Sequence, residues 1–528
     1  MSETVLTYPS MFSLLSDKSV FQDGKVYATL SFYTGKNTGD GSYVYMSSVN
    51  KATANGGSII DPDKMGTLTS TNVQTQLVDY LKKQGTGVGT GCLVRIGVEH
   101  TAEMYGGLPN IPTFDCTPCF KKIIATIQAP VIRLLEGTYY VKSKVGKSPA
   151  INMPNNSVVK GAGMYNSYLK NMDDAPIVSI PIGSYGTQYT TVQDFGVDGN
   201  RQRLGGVFYN EGEGIDFGKG SKNHIIKNIH IKETNGEAID IDGSEDVYID
   251  NMYIENCSGN GLHISDGQPP RYCNVSNVTV INCAHGRGRS GDARSAGVLL
   301  RVSSLNVTNL IIKDCWIGIL QNGTLVSKDK KEHTNITNLH ISGSANQDIV
   351  VTADASGMNI TNFIIKRAAT NVYPTTIKAD IGKSFMLSNG DIEAAAHIYI
   401  AGNATSGRRG ATLNNIIAPS CTIEVRSFGR GAEPWSYVSI GNGCVFSNMT
   451  LSALYGFKVS GVTCDNINLA GQSLNGIISG NIVTQNIMTD TAVDALRNIM
   501  ITNNRVGVAV APVLVNNIYC LTIENLVG

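Results

Sequence analysis

The feature that most constrains this chain is a six-residue pattern, apolar-polar-Asn-apolar-any-apolar, that recurs through its middle. It reads Ile226-Lys-Asn228-Ile-His-Ile231, Ile249-Asp-Asn251-Met-Tyr-Ile254, Val275-Ser-Asn277-Val-Thr-Val280, Val307-Thr-Asn309-Leu-Ile-Ile312, Ile336-Thr-Asn338-Leu-His-Ile341 and Ile360-Thr-Asn362-Phe-Ile-Ile365. Successive asparagines are 23, 26, 32, 29 and 24 residues apart. A variant, Val192-Gln-Asp194-Phe-Gly-Val197, precedes the series, and Leu387-Ser-Asn389 and Leu413-Asn-Asn415 extend it. Alternate residues of a strand face opposite sides, so the apolar positions point inward and the polar ones outward. A repeat of this period fits a solenoid in which each strand lies on its equivalent in the next turn, about 4.8 Å away. An asparagine at each bend can hydrogen-bond backbone groups and its own kind in adjacent coils. The uneven steps belong to loops on one side, because the core strands cannot change length freely. The expected fold is therefore all-β, a right-handed parallel β-helix over roughly residues 190–420. Six in-register copies argue against a sandwich.

A second column supports the register. Cys257, Cys283 and Cys315 each fall six residues after their asparagine, with Thr234 and Ser344 in the same place. This reads as a stack of small inward side chains, not a disulfide or metal array. Of the eleven cysteines only Cys116 and Cys119 are a close pair, and a lone CxxC is weak as a metal or redox motif. Free thiols suit a protein made in a cytoplasm.

Composition narrows the function. Lys+Arg and Asp+Glu are both 42, so no net charge points to nucleic acid. Gly numbers 57, and charged residues make up 16% of the chain, which suits a turn-rich β protein. No run of 18 apolar residues would span a membrane. The start, Met1 to Ser19, lacks a basic segment followed by an apolar one, so no secretory leader is expected.

Four sections are expected. Residues 1–70 read as short strands and turns. In 71–150, a helix over 71–84 has Asn72 as cap and Leu77 and Leu81 on one face. A second has Thr117 as N-cap, Pro118 at the first helical position, and Phe120, Ile123, Ile124 and Ile127 at helical spacing. Val131 to Val141 is strand, turn, strand. Residues 151–440 are the central helix. In 441–528, Val459-Ser-Gly461, Ile478-Ser-Gly480 and Leu496-Arg-Asn498 mark shorter coils, 19 and 18 residues apart, ending in a cap or a partner chain.

Several segments resemble bacteriophage tailspikes with a pectate-lyase-like β-helix. Phe32-Tyr-Thr-Gly35 through Tyr45, running into Asn55-Gly-Gly57, resembles their glycine-rich lead-in. Asp115-Cys-Thr117-Pro-Cys-Phe120 resembles their capping helix. Leu134-Leu-Glu-Gly137-Thr-Tyr139 resembles the strand that opens the first coil, with Glu136 where proline is usual. Val159-Lys-Gly161-Ala-Gly163 and Asp194 to Asn200 continue the match, which covers roughly residues 25–420. The resemblance implies a homotrimer on a virion, made in the host cytoplasm, whose substrate is a capsular or O-antigen polysaccharide. It implies contact with other tail proteins through the short N-terminus or another spike, since no long head domain is evident. It carries over no catalytic residues.

Those must come from the register. Glu213-Gly-Ile-Asp216 aligns with Glu237-Ala-Ile-Asp240 and then with Asn260-Gly-Leu-His263, at offsets of 24 and 23. Ile215, Ile239 and Leu262 face in, so Asp216, Asp240 and His263 face out, one above another. Glu213 and Glu237 form a second acidic column. Asp242, Ser265, Arg301 and Asn322 line up one pleat further on. Carboxyl pairs about 5–5.5 Å apart suit retaining glycoside hydrolysis, and those about 6.5–9.5 Å apart suit inversion. Asp216 with Asp240, or Asp240 with Asp242, reaches either. Crowded carboxylates also raise one another's proton affinity, which makes a general acid. His263 is placed to orient a carboxylate or touch the sugar. The inserted loop carrying Arg287 is placed to hold an acidic glycan or to be plain surface. Trp316 is a candidate stacking platform. Trp435 has no assigned place.

Two bland readings stand beside this one: solvated surface carboxylates, and a calcium site using the same oxygens. Calcium with Arg301 would suit a lyase acting on a uronic acid. The expected activity is endo-glycosidic hydrolysis of a bacterial surface polysaccharide with no required cofactor. One acid among Asp216, Glu237 and Asp240 protonates the leaving oxygen and another activates water or attacks carbon. The rivals are a lyase, a non-catalytic receptor-binding spike, and an esterase, for which no Gly-x-Ser-x-Gly elbow is present.

Overall fold

The computed structural model describes residues 5–17, 21–65, 73–97, 99–143, 148–204, 212–218, 220–265, 272–285, 295–301, 305–322, 333–352, 357–367, 375–381, 384–393, 396–402, 409–426, 436–452, 454–470, 473–489, 497–507, 509–510, 521–523 and 526–527. The chain divides into two compact units, one of Met1–Asp240 with Val247–Tyr253, the other of Ile241–Asp246 with Ile254–Gly528.

The first unit opens with a small sheet of Leu6–Tyr8, Val26–Thr29, Gly41–Asn50, Ile59–Ile60 and Thr90–Arg95. Its one parallel pair is Leu6–Tyr8 with Val26–Thr29. A helix at Val73–Lys83 buries Leu77, Tyr80 and Leu81. A second, Thr117–Thr126, buries Cys119, Phe120 and Ile123. The second starts one residue earlier than expected, with Cys116 rather than Thr117 at the N-cap and no side-chain cap there. Asp115 takes that role: its Oδ1 accepts from Thr117 N at 2.8 Å. The Thr117 hydroxyl is committed elsewhere, accepting from Lys142 N at 2.8 Å. Asn72 lies outside the described residues. Buried Cys116 and Cys119 are free thiols, pushed above the ordinary range chiefly by burial.

The coils then stack in parallel along three columns. Ile132, Val159, Val192 and Ile226 oppose one another in turn, as do Tyr139, Leu169, Val197 and Ile231, and Ile151, Ile182 and Ile215. All eleven are fully buried. Each contributes about 1.5–3 kcal/mol of burial at most.

The second unit repeats this architecture. Val275, Val307, Ile336, Ile360, Leu387 and Leu413 form one inward column. Leu262, Val298, Ile319, Ile349, Ile377, Ile398 and Ile423 form another. After residue 440 the parallel ladder continues with shorter coils, Val445 opposing Thr463 and Thr463 opposing Ile482.

The repeated asparagines do what their spacing requires. Asn228, Asn251, Asn277, Asn309, Asn338, Asn362, Asn389 and Asn415 all have φ between 52° and 58°. That left-handed conformation is one asparagine tolerates better than most residues. Their amides form a ladder between coils. In the first unit Asn251 Nδ2 donates to Asn228 Oδ1 at 2.9 Å, and Asn228 Nδ2 to Asp194 Oδ1 at 2.7 Å. In the second, Asn309 donates to Asn277 at 2.9 Å and Asn338 to Asn309 at 2.8 Å. Cys257, Cys283 and Cys315 are the expected inward stack of free, buried thiols.

Candidate functional site

The acidic column of the first unit rests on the strand Ile215–Phe217, which pairs with Ile182–Ser184 so that Gly183 opposes Asp216. Ile215 and Phe217 are fully buried in the core, so Asp216 leaves the opposite face of the strand. Gly214 N donates to Glu237 O and Ile215 N to Ala238 O, both at 3.0 Å. These bonds set Glu213-Gly-Ile-Asp216 one coil from Glu237-Ala-Ile-Asp240 in the expected register. Asp216 and Asp240 therefore occupy equivalent places on successive coils, about 4.8 Å apart along the backbone.

Outward does not mean exposed. Glu213, Asp216 and Glu237 retain only 5%, 8% and 3% of their surface, while Asp240 is half-buried. Part of the cover is Tyr185, which the sequence reading missed. Its hydroxyl donates to Asp216 Oδ2. A side chain at Gly218 would fall inside the Tyr185 ring, so a glycine there is what lets the ring lie across the strand. The Tyr185 hydroxyl is held far above its ordinary titration range, first by burial and then by Asp216, Glu213 and Asp240. It is a permanent donor set among three carboxylates. Burying carboxylates is unfavourable unless their lone pairs are satisfied, and the Tyr185 hydroxyl and the Gly212 N–H, 3.2 Å from Glu213 Oε2, supply two of those bonds.

Tyr185 was hidden because its coil carries no acid in the Asp216 column. Glycine stands there, at Gly183, and nothing in the local pattern marks the tyrosine two positions on. The glycine at 218 was the only trace.

Of the other expected residues, Asp242, His263, Arg301 and Trp316 lie in the second unit. Asp242 is half-buried at the end of the strand Ile239–Asp242, before Gly243. Gly243 N bonds Ser265 O at 3.2 Å, Arg301 N bonds Ile264 O at 2.8 Å, and Asn322 N bonds Leu300 O at 3.0 Å. The column Asp242, Ser265, Arg301, Asn322 thus has the expected register. His263 opposes Leu299. Trp316 packs on the buried cluster of Ala296, Leu299, Ile317 and Leu320, so part of its ring is taken up in packing. Arg287 and Trp435 lie outside the described residues. Among the described residues no group of three or more His, Cys, Asp and Glu side chains is arranged to hold a metal ion.

Residues 182–328 match the family model described as a right handed beta helix region. The pre-neck appendage protein of Bacillus phage B103 is 26% identical over 263 residues, which cover 46% of this chain and 28% of that protein. This chain thus spans under a third of that relative. Among solved structures it is similar to the Pantoea stewartii glycan biofilm modifying enzyme WceF, with a bacteriophage tailspike-like fold. That match has 13% identity, a TM-score of 0.48, and covers 69% of this chain and 47% of that one. It is also similar to a tailspike of the Acinetobacter baumannii bacteriophage Fri1, a capsular polysaccharide depolymerase. There the identity is 12%, the TM-score 0.36, and the coverage 95% of this chain and 71% of that one. The parallel coils, with the family match over residues 182–328, give this chain the fold of a right-handed parallel β-helix.

Proposed function

We propose that this chain is the glycan-cleaving spike of a phage tail, acting as one of three identical chains on a bacterial capsular or O-antigen polysaccharide by endo-glycosidic hydrolysis. The observation that carries this reading is the Tyr185 hydroxyl donating to Asp216, with Glu213 and Asp240 around it. A phage appendage protein among the relatives supports the setting.

The chemistry follows from the two columns. A donated hydrogen bond favours an ionised acceptor, so Asp216 takes the role of base or nucleophile. The acid comes from the neighbouring coil. Asp240, half-buried and in the equivalent place, protonates the leaving oxygen, and Glu237 and Glu213 hold the pair. A coil spacing of about 5 Å suits a covalent glycosyl intermediate and retention. Tyr185 orients Asp216 and keeps it from turning toward Asp240.

Product chemistry tests this. Hydrolysis releases saturated fragments with a new reducing end. A lyase releases an unsaturated sugar that absorbs in the ultraviolet, and chelation of calcium would abolish it if the carboxylates served a metal. Unsaturated ends on the first fragments would refute the hydrolytic assignment.

A further inference from the structure

The second unit has a groove that the proposed function does not use. It has a volume of about 370 Å³ and is lined by Gln347, Thr375, Lys378, Asp380, His397 and Tyr399. Its origin is legible in the register. On the strand Thr375–Ile381, Ile377 and Ala379 are buried, so Lys378 and Asp380 point outward. On His397–Gly402, Ile398 and Ile400 are buried, so His397 and Tyr399 point outward. Lys378 opposes Tyr399, and Tyr399 opposes Glu424 on the next coil. Asp380, by contrast, opposes Ala401, whose methyl leaves space beside the carboxylate. Along the far side His397 Nε2 lies 3.2 Å from Glu424 Oε2, and Glu424 also pairs with Arg426.

The backbone behind this groove is irregular and specially supported. The ladder slips between Thr375 and Ile377 opposite His397 and Ile398, so Thr376 is an extra residue. Such bulges re-aim neighbouring side chains and recur beside functional sites. Thr376 is fully buried, and its Oγ1 accepts from Arg367 Nη1 at 3.0 Å. Its carbonyl accepts from Asp348 N at 2.9 Å. The Asp348 carboxyl, itself fully buried, lies beside Ser344 and the Arg367 guanidinium. Burying an acid beside a half-buried guanidinium is a cost that the apolar coils do not carry. Here the network fixes Asp348 and Thr376, the chain neighbours of the groove residues Gln347 and Thr375.

We propose that this groove is a second, non-catalytic saccharide-binding site, which holds a short stretch of polysaccharide while the carboxylate site works; the choice of ligand rests on the polysaccharide reading above. The lining matches sugar chemistry. Tyr399 offers an aromatic face to C–H surfaces, with the His397 ring 6.1 Å from it. Gln347, Thr375, Lys378 and Asp380 offer donors and acceptors of both signs for hydroxyls. Asp380 is 3.9 Å from the Lys378 ammonium, so the lining carries balanced charge, and an apolar ligand would find few partners in it.

The test is calorimetric titration of the full chain, carrying Asp240→Asn to stop cleavage, with oligosaccharides made by partial acid hydrolysis of the host strain's polysaccharide. Two sites per chain are expected, falling to one with Tyr399→Ala or with the milder Thr375→Ala, at an unchanged unfolding midpoint. In the otherwise native chain, Tyr399→Ala should leave cleavage of short oligosaccharides unchanged and slow cleavage of long polymer several-fold. A single site that survives Tyr399→Ala overturns the proposal, as does a change in oligomeric state on sedimentation. Binding that depends on Tyr399 without any cleavage by the native chain would keep the groove and overturn the depolymerase reading instead. Absence of both binding and cleavage overturns both.

Discussion

Asn309 offers a direct test of the ladder that sets the coil register. Its amide donates to Asn277 at 2.9 Å and accepts from Asn338 at 2.8 Å, and its φ is +56°. Each of two exposed hydrogen bonds is worth about 0.5–1.5 kcal/mol net. An alanine held in the left-handed region costs about 1–2 kcal/mol more. Asn309→Ala should therefore destabilise by about 2–5 kcal/mol. Asn309→Asp tolerates the same backbone and still accepts from Asn338, but it cannot donate to Asn277. It should lose only about 0.5–1.5 kcal/mol. The control is the exposed neighbour Thr308, where alanine should stay within about 0.5 kcal/mol of the native chain. Denaturant unfolding followed by tryptophan fluorescence reads these as midpoint shifts at constant slope. If Asn309→Ala and Thr308→Ala shift the midpoint equally, the ladder is decoration and the reasoning fails.

Three further outcomes are expected. Tyr185→Phe removes a hydrogen bond to a buried charged group, worth about 1.5–3 kcal/mol, so kcat/KM should fall roughly ten- to hundredfold, with a loss of stability of no more than that size; unaltered kinetics would remove Tyr185 from the site. His224, buried against Phe217 and bonded to Thr190, is pushed down to about 4 by burial. The unfolded chain protonates near pH 6.5 and the folded one only near 4, so stability falls as pH drops through that window, by about 3 kcal/mol in all. His224→Gln should flatten that loss. Asp348 has the opposite sign: burial pushes it up to about 6, so its contribution is full below about pH 4 and is lost as pH rises to 6. The gap in unfolding midpoint between Asp348→Asn and the native chain should therefore vary across pH 4–6, and a constant gap would contradict the assignment.

Much of the fold was written in the sequence because the β-helix is a one-dimensional repeat. The asparagine must recur wherever the backbone turns left-handed, and the flanking aliphatics must recur wherever the strand meets the core. The same register placed Asp216 over the column of Asp240 correctly. What it could not give was cover. Tyr185 lies over Asp216 only because Gly218 vacates the space, a contact between residues 33 apart that no periodicity marks. The Thr376 bulge was equally hidden, since an extra residue inside a strand breaks the count that makes a repeat readable. Thr117 failed as a cap for a plainer reason: Asp115, two residues earlier, offers a carboxylate to the same helix end.

The central claim is that the carboxylates around Tyr185 cut polysaccharide. The decisive measurement is the size distribution of purified capsular or O-antigen polysaccharide, drawn from a strain panel that includes the host, after incubation with the native chain and with Asp240→Asn. The account expects short fragments from the native chain and intact polymer from the variant, which should still bind it. Fragments of equal length from both would contradict the site, and intact polymer from both, with binding retained, would leave a receptor-binding spike.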